Sequence, residues 1–68
     1  MKIKEYRIRK GMTVDELARR LGVTQQAVSN WENGMRSPKP VMIVRLAQEL
    51  ECTPNDLLGY VMPVEANA

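Results

Sequence analysis

Two stretches of helical apolar spacing in this chain are separated by only three residues, Gly22-Val23-Thr24, and that joint constrains the fold more than any other feature. Upstream of it, Leu17, Ala18 and Leu21 form one inner stripe; downstream, Val28 and Trp31 stand three apart on the next helix. Gly22 can adopt the positive φ of a sharp turn, and Thr24 is placed to cap the following helix by accepting from its free N–H groups. Two helices joined so closely cross steeply, and they can approach only where a small side chain sits near the crossing. Ala18 supplies it. Leu17, Leu21, Val23, Val28 and Trp31 are then expected to fill the wedge between the pair.

The remaining punctuation divides the chain into five short helices. The first runs from about Ile3 to Lys10, with Gly11 placed to end it. Thr13 opens the second, and Glu16 three residues later predicts a capping box in which each side chain satisfies the other's backbone N–H. The third extends from Gln25 to about Asn33 and is closed by Gly34. Ser37-Pro38-Lys39-Pro40 is a rigid connector, because each residue before a proline is pushed out of helical geometry. Pro40 suits the first turn of a fourth helix, whose inner face is Ile43, Leu46, Ala47 and Leu50. Thr53-Pro54 repeats the device and starts a fifth helix through Leu58, ended by Gly59. No alternation suggests a strand, so the expected fold is all-α: a compact five-helix bundle over residues 1–59. Residues 60–68 read as a short C-terminal tail, frayed from Pro63 onward.

Sixty-eight residues leave room for one small domain. A chain of this size buries only roughly 60% of the surface its unfolded form exposes, which argues against a deep catalytic cavity. There is no His and a single Cys, Cys52, so intrachain disulfides, His-based acid/base chemistry and the usual zinc ligand sets are excluded. No metal or cofactor is expected. Cys52 has no imidazole to activate it and reads as a buried small hydrophobe, which sets enzyme function aside. No apolar run approaches the roughly 20 residues of a membrane span, and no secretion signal is evident, so a cytoplasmic protein is expected. Net charge is only +2, but its distribution is polar. Residues 1–10 carry +4 and residues 51–68 carry −3. A basic end of this kind suits a polyanion.

With Val28 and Trp31 turned inward, the opposite side of the third helix shows Gln25, Gln26, Ser29, Asn30 and Asn33. Ordinary solvated faces are rich in Lys and Glu, which form good helices and keep the surface soluble. This face has no charge before Glu32. Amide side chains match the donor and acceptor pattern of adenine N6 and N7, which a Gln or Asn grips with two hydrogen bonds in the major groove.

The run Thr24-Gln25-Gln26-Ala27-Val28-Ser29-Asn30-Trp31-Glu32-Asn33-Gly34 resembles the recognition helix of the phage repressor and Cro (Xre) helix-turn-helix family. It is most similar to the lambdoid repressors, which begin this helix with Thr-Gln-Gln and end it with Glu-Asn-Gly. The resemblance extends from Ile3 to Leu58. It implies a lambda repressor-like domain that binds palindromic operator DNA as a homodimer, with the third helix in the major groove, and so a transcriptional regulator, most simply a repressor. By position, Gln25, Gln26 and Asn30 would face base edges, with Ser29 beside them. Thr24, Asn33 and Arg36 would touch phosphates, and Lys10, Arg19 and Lys39 are weaker phosphate candidates. The resemblance also pairs Arg7 with Glu32 as a structural ion pair.

Two positions depart from the lambdoid pattern. Val14 stands where those repressors have a Gln at the start of the second helix; its backbone N–H can still meet a phosphate there. Lys39 stands where a capping Ser or Asp begins the fourth helix. A second expectation from the same fold is an antitoxin or anti-repressor that grips a toxin or regulatory protein through the fifth helix and Tyr60-Val61-Met62.

Overall fold

The computed structural model describes residues 1–59, among which there are five helices and no strand. They are α1 (Ile3–Arg9), α2 (Val14–Leu21), α3 (Gln25–Glu32), α4 (Pro40–Glu49) and α5 (Pro54–Leu58). The expected tail, residues 60–68, and the apolar Tyr60-Val61-Met62 lie outside the described residues. The first and third helices stop one residue before the expected end, because Lys10 and Asn33 are half-helical caps, and Leu50 of the expected inner face of the fourth is likewise its cap.

Ile3, Leu17, Leu21, Val28, Leu46, Leu50 and Leu57 are fully buried, so every helix contributes to one core. Ala18 on α2 and Ala47 on α4 are buried in the same core, and the two helices are in contact. Val23, Trp31 and Ile43 are half-buried and pack against the core. Met12 in the turn after α1 is also buried, although it belongs to no helical stripe. α3 lies against α2 and α1, while α4 lies against α2 and α5. The edge of the core that α3 covers is therefore shared among the first three helices.

Helix ends explain why the corner is sharp. At Gly22, φ is 72°, and Val23 N–H donates to the Ala18 carbonyl at 3.0 Å while Gly22 N–H donates to Arg19 at 3.2 Å. These two bonds satisfy carbonyls that the last helical turn would leave free. Thr24 then accepts from Ala27 N–H at 3.1 Å and opens α3. The same pair of closing bonds ends α4, where Glu51 N–H reaches Gln48 and Cys52 N–H reaches Ala47. There the left-handed position is filled by Glu51, at φ 55°, and not by a glycine. Lys10, the C-cap of α1, holds the Glu51 carboxylate, an exposed contact that keeps this carboxyl below its usual pKa.

Two expectations require correction. The capping box of α2 is only half formed: Thr13 Oγ1 accepts from Glu16 N–H at 3.0 Å, but the Glu16 carboxylate turns to Arg20, at 3.3 Å, instead of returning to the Thr13 N–H. A cation one turn away on the same face competes successfully for it. The reciprocal box occurs at α5, where Thr53 Oγ1 accepts from Asp56 N–H and Asp56 accepts from Thr53 N–H, both at 3.1 Å. Cys52 is half-buried, not buried; it packs against the rim of the core, and loss of solvent raises its thiol pKa, with Asp56 adding to the effect.

Thr13→Ala should therefore cost about 1 kcal/mol in a urea titration, whereas Glu16→Ala should leave the cap intact and cost clearly less. Asp56 is held below the usual carboxylate range first by the Thr53 backbone N–H, then by the Thr53 side chain, with Lys2 contributing. Its contribution to stability is complete above the ordinary aspartate range and is lost as the pH falls through the lowered pKa. Asp56→Asn should lower stability near neutrality and flatten the acid limb of the profile, the two proteins converging at low pH.

Candidate nucleic-acid interface

The amide row of α3 is held by what happens on its other side. Val28 is sealed in the core and Trp31 is wedged against it, which turns Gln25 and Gln26 fully outward. Ser29 and Asn30, further along the same face, are half-buried. Within the row, Gln26 Nε2 donates to Asn30 Oδ1 at 2.9 Å, one turn apart, and Asn33 Nδ2 reaches Ser29 Oγ at 3.5 Å. The first bond orients both amides while leaving the Gln26 oxygen and the Asn30 nitrogen available to a ligand.

Beside this row is an open groove of about 300 Å³ lined by Val14, Gln25, Gln26 and Ser29. Thus the first residue of α2 and the first turn of α3 share one surface, and the N-terminal ends of both helices open onto it. The first backbone N–H groups of a helix have no intrahelical acceptor, so both ends are suited to anions. Thr24 is exposed at the start of α3. Asn33 and Arg36 are exposed past its end, and Lys39 is exposed at the start of α4. Lys39 makes no side-chain cap there, as a residue with only donors must. Among the described residues neither Arg36 nor Lys39 pairs with a carboxylate. Lys10 and Arg19, in contrast, are engaged by Glu51 and Asp15.

Arg7 and Glu32 meet across 25 residues of sequence in a two-pronged ion pair, with Nε to Oε2 at 2.7 Å and Nη2 to Oε1 at 3.3 Å. Their side chains are 11% and 7% exposed. Arg7 Nη1 also donates to the Met12 carbonyl at 2.8 Å, so the guanidinium ties α3 to α1 and to the turn leading into α2. Met12 is the participant that no side-chain pattern flagged. Its contribution is a backbone oxygen, while its side chain is buried in the core. Pro38, also buried, anchors the connector that carries Arg36 and Lys39, and with Trp31 and Met42 it lines a second groove of about 290 Å³.

A steep two-helix corner, an uncharged amide face and cations at its margin define a helix-turn-helix domain, and residues 3–57 match the helix-turn-helix family model. The chain belongs to the phage repressor and Cro (Xre) helix-turn-helix family. It is 42% identical over 48 residues to an uncharacterized HTH-type transcriptional regulator of Methanothermobacter thermautotrophicus, covering 71% of this chain and 70% of that protein. No solved structure matches the chain. Among the described residues no helix is long and apolar enough to cross a membrane.

Because both partners of the Arg7–Glu32 pair are largely withdrawn from water, removing either one strands the other. Arg7→Ala and Glu32→Ala should each cost about 3 to 5 kcal/mol. The double change Arg7→Met with Glu32→Leu should cost much less than the two single losses added together. Urea titrations of the four proteins check both statements.

Proposed function

We propose that this protein is a sequence-specific DNA-binding transcriptional regulator, acting as a repressor, that inserts α3 into the major groove of a palindromic operator as a homodimer. The single observation that carries this reading is the amide row of α3, turned outward by the burial of Val28 and held in angle by the Arg7–Glu32 pair. Neutral amides offer both donors and acceptors at fixed spacing, which is what base edges require. A face meant only for solvation gains nothing from them.

In this assignment Gln25, Gln26, Ser29 and Asn30 read bases. Thr24, Asn33, Arg36, Lys39 and the Val14 backbone N–H position the domain on phosphates. The two helix N-termini that open onto the shared groove supply N–H groups and positive dipole ends toward the backbone of the duplex. Arg36 and Lys39, free of carboxylate partners among the described residues, add the salt-sensitive part of the affinity. Family membership and the relative's designation as a transcriptional regulator support the same reading.

Selection of bound duplexes from a random pool is the direct test. It should return a palindrome with half-sites about 34 Å apart, centre to centre, and binding that weakens steeply with salt. Gln25→Ala and Gln26→Ala should relax preference at single base positions by roughly 1 to 3 kcal/mol, whereas Arg36→Ala should weaken all sequences and flatten the salt slope. Equal losses on every duplex from both kinds of variant would overturn the assignment of base readers.

A further inference from the structure

The side chain of Val14 has a place in the site that the function above does not use. It is the one apolar member of the groove whose other walls are Gln25, Gln26 and Ser29. One side of Val14 packs on the core, so the residue is half-buried and its remaining surface faces the groove. Its position is fixed twice over. It is the first residue of α2, immediately after the Thr13 cap, and its β-branched side chain is stiff at χ1 inside a helix. It cannot swing away when the groove is filled.

Whatever enters this groove meets the hydrogen-bonding groups of Gln25, Gln26 and Ser29 and the methyl groups of Val14. A polar atom pressed against the methyls would lose its water and gain no partner. The matching surface must therefore present one apolar group among donors and acceptors. On the major-groove edge of duplex DNA that description fits a single chemical feature, the methyl at C5 of a pyrimidine. Thymine carries it, and so does 5-methylcytosine.

We infer that Val14 is a specificity-determining residue that contacts a pyrimidine 5-methyl group next to the base pairs read by Gln25 and Gln26. The inference rests on the DNA-binding reading above and adds to it a contact made by α2 rather than by the recognition helix. It also gives the Val at this position a positive role. The apolar side chain gives discrimination between bases that differ by one carbon.

The test uses the full chain and the duplex it selects. Each thymine in a half-site is replaced in turn by deoxyuridine, which removes only the methyl group, and each cytosine is replaced by 5-methylcytosine, which adds one. At one position per half-site, removal of the methyl should weaken binding roughly fourfold, the effect of one buried methyl group. If the selected base there is cytosine, 5-methylcytosine should strengthen binding by a similar factor, which separates the two sources of the methyl. Val14→Ala should abolish the sensitivity at that position alone, with the Gln26-dependent preference and the salt slope unchanged. Val14→Thr retains the branched shape but exchanges one methyl for a hydroxyl, so it tests the same contact with little demand on folding. Both variants are checked for an unchanged helical signal first. A flat uridine and methylcytosine scan, or equal methyl sensitivity in Val14→Ala and the parent, would overturn the inference while leaving the DNA-binding reading intact. Failure to select any duplex would overturn both.

Discussion

The Arg7 guanidinium is the point at which three parts of the chain are brought to a common geometry. It holds Glu32 at the end of α3 by two bonds and the Met12 carbonyl by a third. A largely buried pair of this kind returns little net stability, since desolvation offsets most of the attraction. Its effect is angular. Val28 and Trp31 bury one side of α3 against the core, but apolar contact is non-directional and would tolerate a range of tilts. The planar guanidinium accepts only a narrow range of carboxylate positions. The direction of the amide row is set at that end of the helix.

The other end of α3 is set by backbone bonds rather than charge. Gly22 and Val23 close α2 onto Arg19 and Ala18, and Thr24 opens α3, within a joint of three residues. So short a joint leaves few free torsions between the two helices. α3 itself carries no acidic residue in its first turn and no basic residue in its last, so it draws little from its dipole or from surface pairs. Its stability comes from packing, which leaves the outward face free to be chosen for chemistry. α2 is the opposite case: its outer face is laced by Asp15 with Arg19 and Glu16 with Arg20, and Arg20 extends to Glu49 on α4.

Much of the fold was legible because its signals are local. The caps at Thr13, Thr24 and Thr53, the prolines at 40 and 54, and the glycine at 22 each act on N–H and carbonyl groups within about one turn, and they marked the starts of the last four helices to within a residue. Where two local signals competed, sequence order did not reveal the winner. Glu16 had both the Thr13 N–H and Arg20 in reach and took Arg20. Glu51 was silent for a related reason: a left-handed closing position is announced by glycine, and here a charged residue fills it, with Lys10 at the cap of α1 holding its carboxylate. The family resemblance supplied the Arg7–Glu32 pairing, but how far it is withdrawn from water was decided by the packing of the folded chain.

By itself the sequence determined the helices, their inner stripes and the row of amides on α3, because periodicity and capping are properties of neighbouring residues. The tertiary structure decided how deeply the ion pair is withdrawn, which partner Glu16 takes, and that Val14 on one helix shares a groove with Gln25, Gln26 and Ser29 on the next. Those outcomes depend on how two helices cross and on side chains that are distant along the chain. Such distances exist only after the core has closed.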